Sequence, residues 1–126
     1  MSGERRRARP RCTAWTLRVL DRLGAPPEEQ VAYIRRVGVG TDELLLEFDD
    51  VVFGAKAMLY DGLLSASEFE ALRRVEVRAE SVDAGGTGIW TDAAVAEAAE
   101  WSALRSVAGT VKSELAEAWE LWEYLE

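Results

Sequence analysis

The sequence contains no histidine and a single cysteine, Cys12. Without histidine, the chain has no Ser-His-Asp or Cys-His catalysis of its own and no metal site that uses imidazole. With one cysteine, no disulfide can form within the chain. We therefore expect no catalytic residues, no metal site and no cofactor, and we interpret the chain as a non-enzymatic protein.

Long apolar runs are also missing. No segment approaches the roughly 20 consecutive apolar residues that cross a bilayer. The basic residues between Met1 and Thr13 are not followed by the apolar stretch of a secretory signal. We expect no membrane partner, and the cytoplasm is the expected compartment. The 126 residues, 48% of them hydrophobic, suffice for the core of one domain.

Positive charge is scarce after the first residues. The formal net charge is −8, from 15 basic and 23 acidic residues. Residues 1–12 hold five arginines and one glutamate and so carry +4, which leaves −12 on the rest of the chain. Such an acidic body repels nucleic-acid phosphates and attracts basic proteins. We predict a disordered basic tail at residues 1–12, the only part suited to nucleic acid. We predict a helical domain at residues 13–126 with a basic protein partner.

Apolar residues recur at the three- and four-residue steps of α-helices, and no segment shows the sustained alternation of a strand. The predicted fold is all-α, a single-domain bundle of five or six helices. Helices are expected at residues 13–23, 27–37, 42–60, 65–80 and from 91 onward, with the 42–60 helix near the centre. Thr41, Ser65 and Thr91 are the expected N-caps, Ser65 in a capping box with Glu68. The glycine-rich stretch 81–90 is expected to be a mobile loop.

The segment after residue 100 shows the strongest helical pattern. Apolar residues follow one another in steps of three and four from Trp101 to Leu125. At about 100° per residue they fall on one side of a helix. This predicts one amphipathic helix that reaches the C-terminus. On that helix Trp122 faces the core, whereas Leu121 and Tyr124 face solvent.

Acidic and aromatic residues alternate at the C-terminal end of this helix. Trp119, Glu120 and Tyr124 are candidate partner-binding residues, because tryptophan and tyrosine often anchor interfaces. The alternative is that the tryptophans close the helical bundle.

A cluster of acids lies in the 42–60 helix. Glu43, Glu47 and Asp50 are spaced at i, i+4 and i+7 and share one helix face, and Asp49 flanks them. Such a face is either simply solvated or a docking face for a basic partner. A third interpretation is a magnesium site of an all-helical nucleotide hydrolase, since E-x-x-D and E-x-x-E pairs both occur. The order of these pairs differs from that in such enzymes.

Four short segments resemble a group of small bacterial proteins, mostly from GC-rich genomes, that has no established activity. The segments are Gly24-Ala25-Pro26-Pro27, Leu46-Glu47-Phe48-Asp49-Asp50, Gly62-Leu63-Leu64-Ser65 and Trp90-Thr91 with Trp101. The resemblance extends from Trp15 to about Trp119 and implies no functional residues.

In size, acidity and helical content the chain is also similar to immunity proteins that neutralise bacterial toxins. We therefore expect a binding protein that occludes a basic toxin. One alternative is a homo-oligomeric helical scaffold or regulatory subunit. The other is a magnesium-dependent nucleotide hydrolase.

Overall fold

Helices form nearly all the regular structure of the chain. A computed structural model describes residues 10–125, which form six α-helices and no strand. The helices are α1 (Pro10–Leu23), α2 (Pro27–Val37), α3 (Glu43–Tyr60), α4 (Ala66–Asp83), α5 (Asp92–Glu97) and α6 (Ala99–Ala118). Two 3₁₀ turns, Thr87–Trp90 and Trp122–Leu125, follow α4 and α6. The prediction of an all-α, single-domain bundle is confirmed. None of the helices in this part of the chain is long and apolar enough to cross a membrane.

Four long helices enclose the core. α6 packs against α1 and α4, and α3 packs between the same two helices on the other side. The largest fully buried side chains come from all four helices and include Leu17, Leu20, Phe48, Leu72, Trp101 and Leu104. α3 is thus one wall of the bundle, and its Leu46 and Phe53 remain exposed. The expectation that this helix lies at the centre was wrong, because its apolar residues divide between the core and the surface.

The first helix begins three residues earlier than expected, at Pro10. Proline is favoured in the first helical turn, where its missing N–H would have no helical partner. The tail was predicted for residues 1–12, and this was wrong for residues 10–12, which are part of α1. The rest of the predicted tail, residues 1–9, lies outside the described residues. α1 ends at Leu23, and a β-carbon on the following residue, Gly24, would lie 3.1 Å from the backbone nitrogen of Gly109 in α6. Glycine is needed there because the two backbones approach so closely.

A buried glutamine and an arginine link four helices. Gln30 of α2 donates from Nε2 to the carbonyl oxygens of Arg22 and Leu23, at 3.0 and 2.9 Å. These carbonyls belong to the last turn of α1 and have no partner within that helix. Arg105 of α6 donates from Nη1 to Oε1 of Gln30 at 3.2 Å and to the carbonyl oxygen of Val95 in α5 at 2.6 Å. Burial of its guanidinium lowers the pKa of Arg105, an effect that the negative charge of Glu28 opposes.

The connection between α4 and α5 is shorter than expected and is attached to the core. α4 continues to Asp83, and Ile89 is buried. Trp101 donates from Nε1 to the carbonyl oxygen of Ile89 at 2.8 Å. Thr41 donates from Oγ1 to the carbonyl oxygen of Trp90 at 2.6 Å. The expectation that Thr41 caps α3 was wrong, because its hydroxyl holds this connection instead.

The other two capping predictions are confirmed. Ser65 accepts from the N–H of Glu68, and the Glu68 carboxylate accepts from the N–H of Ser65, which completes the capping box. Thr91 accepts from the N–H of Ala94 at 3.0 Å and so caps α5. Both caps provide partners for N–H groups that a helix cannot satisfy internally.

The last helix is shorter than predicted. α6 ends at Ala118, and Glu120 takes a left-handed backbone conformation with φ 58°. The N–H of Leu121 donates to the carbonyl oxygen of Ala116 at 2.9 Å, which is the Schellman arrangement of a helix end. The chain then turns back. Leu121 and Tyr124 pack against the core, and Trp122 is 54% exposed. The predicted orientations of these three side chains were therefore wrong.

We expect Gln30→Ala to lower the free energy of unfolding by roughly 1–3 kcal/mol, because it leaves the buried carbonyl of Leu23 without a donor. Chemical denaturation measures this change. Glu29→Ala, an exposed change on the same helix, is the control and should cost less than about 0.5 kcal/mol. Equal effects of the two changes would contradict the role given to Gln30.

We expect Trp119→Ala to destabilise the fold by about 2 kcal/mol, because Trp119 is half-buried against the core. Trp122→Ala should cost less than about 1 kcal/mol, because its side chain is largely in solvent. Thermal unfolding of the two variants compares them. A larger loss of stability for Trp122→Ala would instead support the prediction of an uninterrupted terminal helix with Trp122 in the core.

Candidate functional site

α3 and α4 lie side by side and leave a groove of about 570 Å³ between them. Four of its lining residues are apolar and five are acidic. The lining consists of Leu45, Leu46, Ala79 and Trp90 together with Asp42, Asp49, Glu76, Glu80 and Asp83. We call this feature the acidic groove. It combines a surface for apolar contact with negative charge on both sides.

Helical spacing explains why the acids line the groove. On α3 and its N-cap, Asp42 and Asp49 are seven residues apart, with Leu45 and Leu46 between them. On α4, Glu76 and Asp83 are also seven residues apart, with Ala79 and Glu80 between them. Residues at i, i+3, i+4 and i+7 share one helix face. Each helix therefore presents one such row, and antiparallel neighbours bring the two rows together.

An aromatic residue closes one end of the groove. Trp90 lies edge-on to Trp101, with ring centroids 6.2 Å apart and planes at 83°. Because Trp101 is fully buried and Thr41 holds the Trp90 carbonyl, this end has a defined shape. The apolar part of the lining is therefore built on the core.

The charges in the groove are only partly compensated. Arg73 of α4 forms an ion pair with Glu76 and lies 4.0 Å from Glu80. Within residues 10–125, no lysine or arginine forms an ion pair with Asp42, Asp49 or Asp83. The groove thus carries an excess of negative charge that a cation can offset.

Asp49 is one of the acids in this excess of negative charge. Partial desolvation against the groove raises the pKa of Asp49, and the negative charges of Glu76, Asp50 and Asp83 raise it further. A raised pKa means that the ionised form is disfavoured in the folded protein. A positive group placed in the groove would offset the part of this penalty that comes from the neighbouring carboxylates.

The acids predicted as one docking face occupy three different environments. Glu47 is half-buried and accepts from Nη1 of Arg22 with both carboxylate oxygens, at 2.8 and 2.9 Å. The Arg22 guanidinium in turn stacks 4.0 Å above the ring of Tyr33. Glu43 lies on the same side of α3, and its charge contributes to the raised pKa of Tyr33, whose first cause is desolvation. Only Asp49 lines the groove, while Asp50 is exposed beside it.

The C-terminal candidate residues mostly face the bundle. Trp119 donates from Nε1 to Oε2 of Glu68 at 2.9 Å, and Tyr124 is half-buried against the core. Glu120 holds the left-handed position that ends α6. This arrangement favours the interpretation in which Trp119 closes the bundle. The exposed aromatic residue of this segment is Trp122.

Sequence reasoning did not select the α4 side of the groove. Glu76, Glu80 and Asp83 have the spacing of a helix face, and this was the available signal. Acids at such spacing are common on solvated helices. Only the packing of α3 against α4 distinguishes this row.

The groove acids do not form a ready metal site. Among residues 10–125, no three acids or cysteines converge closely enough to hold a metal ion.

The chain matches no family model, no curated protein and no solved structure.

We expect Asp49→Asn to raise the free energy of unfolding at pH 7 by less than about 1 kcal/mol, because solvent screens a partly exposed charge. The sign follows from the raised pKa of Asp49 in the folded state, since ionisation then disfavours folding at pH values above that pKa. The gain in the free energy of unfolding should shrink as the pH falls through the folded-state pKa of Asp49. Protonation then removes the charge of Asp49 from the wild type as well. Denaturation from pH 7 to pH 3 measures this, with Glu123→Gln as the control, because Glu123 is an exposed acid outside the groove. An equal or larger gain in stability for the control would contradict the conclusion that the groove disfavours the ionised form of Asp49.

Proposed function

We propose that this protein binds a basic protein partner through the acidic groove and thereby occludes the partner's functional surface. The observation that carries the proposal is the pair of acidic rows on α3 and α4, three of whose members have no ion-pair partner in the described chain. The particular partner that we propose is a basic bacterial toxin, which would make the chain an immunity protein of the cytoplasm.

Two physical features of the groove support a protein partner. Negative charge steers a basic surface toward the groove and rejects acidic ones. The apolar lining offers contacts that gain free energy when water leaves. A toxin that binds nucleic acid presents cationic groups to phosphate. The carboxylates of the groove would compete for those same groups.

The docking face in this proposal differs from the face expected from sequence. Glu47 is committed to Arg22 and Tyr33, so its charge is largely offset within the chain. Asp49 remains in the proposed site, and Asp42, Glu76, Glu80 and Asp83 join it. The proposed docking site is therefore the acidic groove between α3 and α4, whereas the site expected from sequence was one face of α3.

A homo-oligomeric scaffold is the second candidate, and one observation favours it. Trp122 and Leu125 are both exposed at the C-terminal 3₁₀ turn. A self-association there would be lost in Trp122→Ser. Light scattering at high protein concentration tests it, and a monomer at every concentration would remove this candidate.

The proposal is tested with a groove variant and a charge-matched control. The groove variant carries Asp42→Lys, Asp49→Lys and Asp83→Lys. The control carries Glu29→Lys, Glu97→Lys and Glu117→Lys, which are exposed acids outside the groove. Both variants change the net charge equally, so only position distinguishes them.

Wild type and both variants serve as baits in extracts of the source cells, and captured proteins are purified and titrated by calorimetry. We expect a basic protein whose affinity falls at least tenfold for the groove variant, equivalent to about 1.4 kcal/mol. The control should stay within about threefold. Equal losses for both variants would show general charge attraction and would reject the groove as the site.

A further inference from the structure

The outer face of α3 carries a line of exposed apolar side chains. Leu46, Phe53 and Tyr60 are 48%, 79% and 92% exposed and follow one another at steps of seven residues. Seven residues are close to two helical turns, so the three side chains lie along one side of α3 over about 21 Å. We call them the α3 stripe. Exposed apolar patches of this kind mark interaction sites more often than isolated apolar residues do.

The α3 stripe borders the acidic groove. Leu46 belongs to both, and Asp49 lies between Leu46 and Phe53 along the same side of the helix. α1 and α4 cover the other sides of α3. A partner that follows the stripe therefore meets apolar side chains in its middle and carboxylates along its edge.

The charges decide what kind of partner can cover the stripe. In a symmetric pair of two copies, the same patch would face itself. Each copy carries a formal net charge of −8, and the acids of the groove border the stripe, so a pair formed at this face would bring two negative surfaces together. Like charges brought together in this way are destabilising. A basic partner lacks this penalty.

The shape of the stripe decides which secondary structure fits. The described residues contain no strand and hence no sheet edge that an extended peptide could pair with. An extended segment laid on α3 would leave its backbone N–H and C=O groups without protein partners. A helix satisfies these groups internally and can present apolar residues at i, i+3, i+4 and i+7.

We infer that the α3 stripe seats a basic amphipathic helix of the partner protein. Its apolar face packs on Phe53 and Leu46, and its lysines or arginines reach the carboxylates of the acidic groove. This inference rests on the proposed function and adds to it the form of the partner. Phe53 contributes most, because it lies at the middle of the stripe and is 79% exposed.

The probe is an 18-residue stapled helical peptide of leucine and lysine with one apolar face. A peptide of the same composition, stapled in the same way but with its leucines spread around the helix, is the matched comparison. Both are titrated into the full chain by calorimetry at two salt concentrations. We expect the amphipathic peptide to bind at least tenfold more tightly than the comparison peptide.

Two polar substitutions test whether peptide binding depends on the α3 stripe or on exposed apolar residues in general. Phe53→Ser should weaken binding of the amphipathic peptide at least tenfold, and Leu46→Ser should weaken it less. Val77→Ser is the control, because Val77 on α4 is 48% exposed, as Leu46 is, but lies outside the stripe and the groove. It should change the affinity by less than twofold. Circular dichroism confirms that the three variants remain folded.

The outcomes distinguish this inference from the proposed function. If the amphipathic peptide does not bind, binds no better than its comparison, or responds equally to Phe53→Ser and Val77→Ser, the helix inference is overturned. A natural partner that still depends on the groove acids would then leave the proposed function standing. If peptide binding depends on Phe53 but no partner depends on the groove acids, the proposed function fails instead.

Discussion

The buried side of α6 is the surface on which the rest of the molecule assembles. Trp101, Leu104, Ala108, Val111 and Leu115 are buried along it, and α1, α4 and α5 all pack against this helix. Trp101 has a second role, since its indole N–H holds the Ile89 carbonyl and its ring supports Trp90. The packing of Trp101 in the core thus positions Trp90, which forms one end of the acidic groove. A change in the packing of α6 would therefore alter the shape of the groove at the end that Trp90 forms.

Much of this architecture follows from local sequence signals. The apolar periodicity predicts the helices, and Ser65 with Glu68 marks the start of α4 because a capping box is chemically specific. The end of α6 was missed for an equally local reason. Left-handed helix ends usually contain glycine, and here Glu120 occupies that position. Thr41 was misassigned because its hydroxyl has a more distant acceptor, the Trp90 carbonyl, 49 residues away.

The groove was less predictable than the fold. Spacing shows that Asp42 and Asp49 share a helix face, and the same holds for Glu76 and Asp83. Spacing does not show that the two faces meet, because this depends on how α3 and α4 pack. Nor does it show that the charge of Glu47 is offset by Arg22, a residue of another helix. Acidic residues in a sequence are therefore ambiguous until their neighbours from other helices are known.

The unbalanced carboxylates of the groove have a consequence for the life of the free protein. Desolvation raises the pKa of Asp49, and repulsion from neighbouring carboxylates raises it further and lowers the stability of the unoccupied chain. A bound cationic partner would offset the repulsion and add its own binding free energy. Copies without a partner would unfold more often and be degraded faster than copies in a complex. Under the proposed function, the cellular abundance of this protein would follow that of its partner without any change in synthesis.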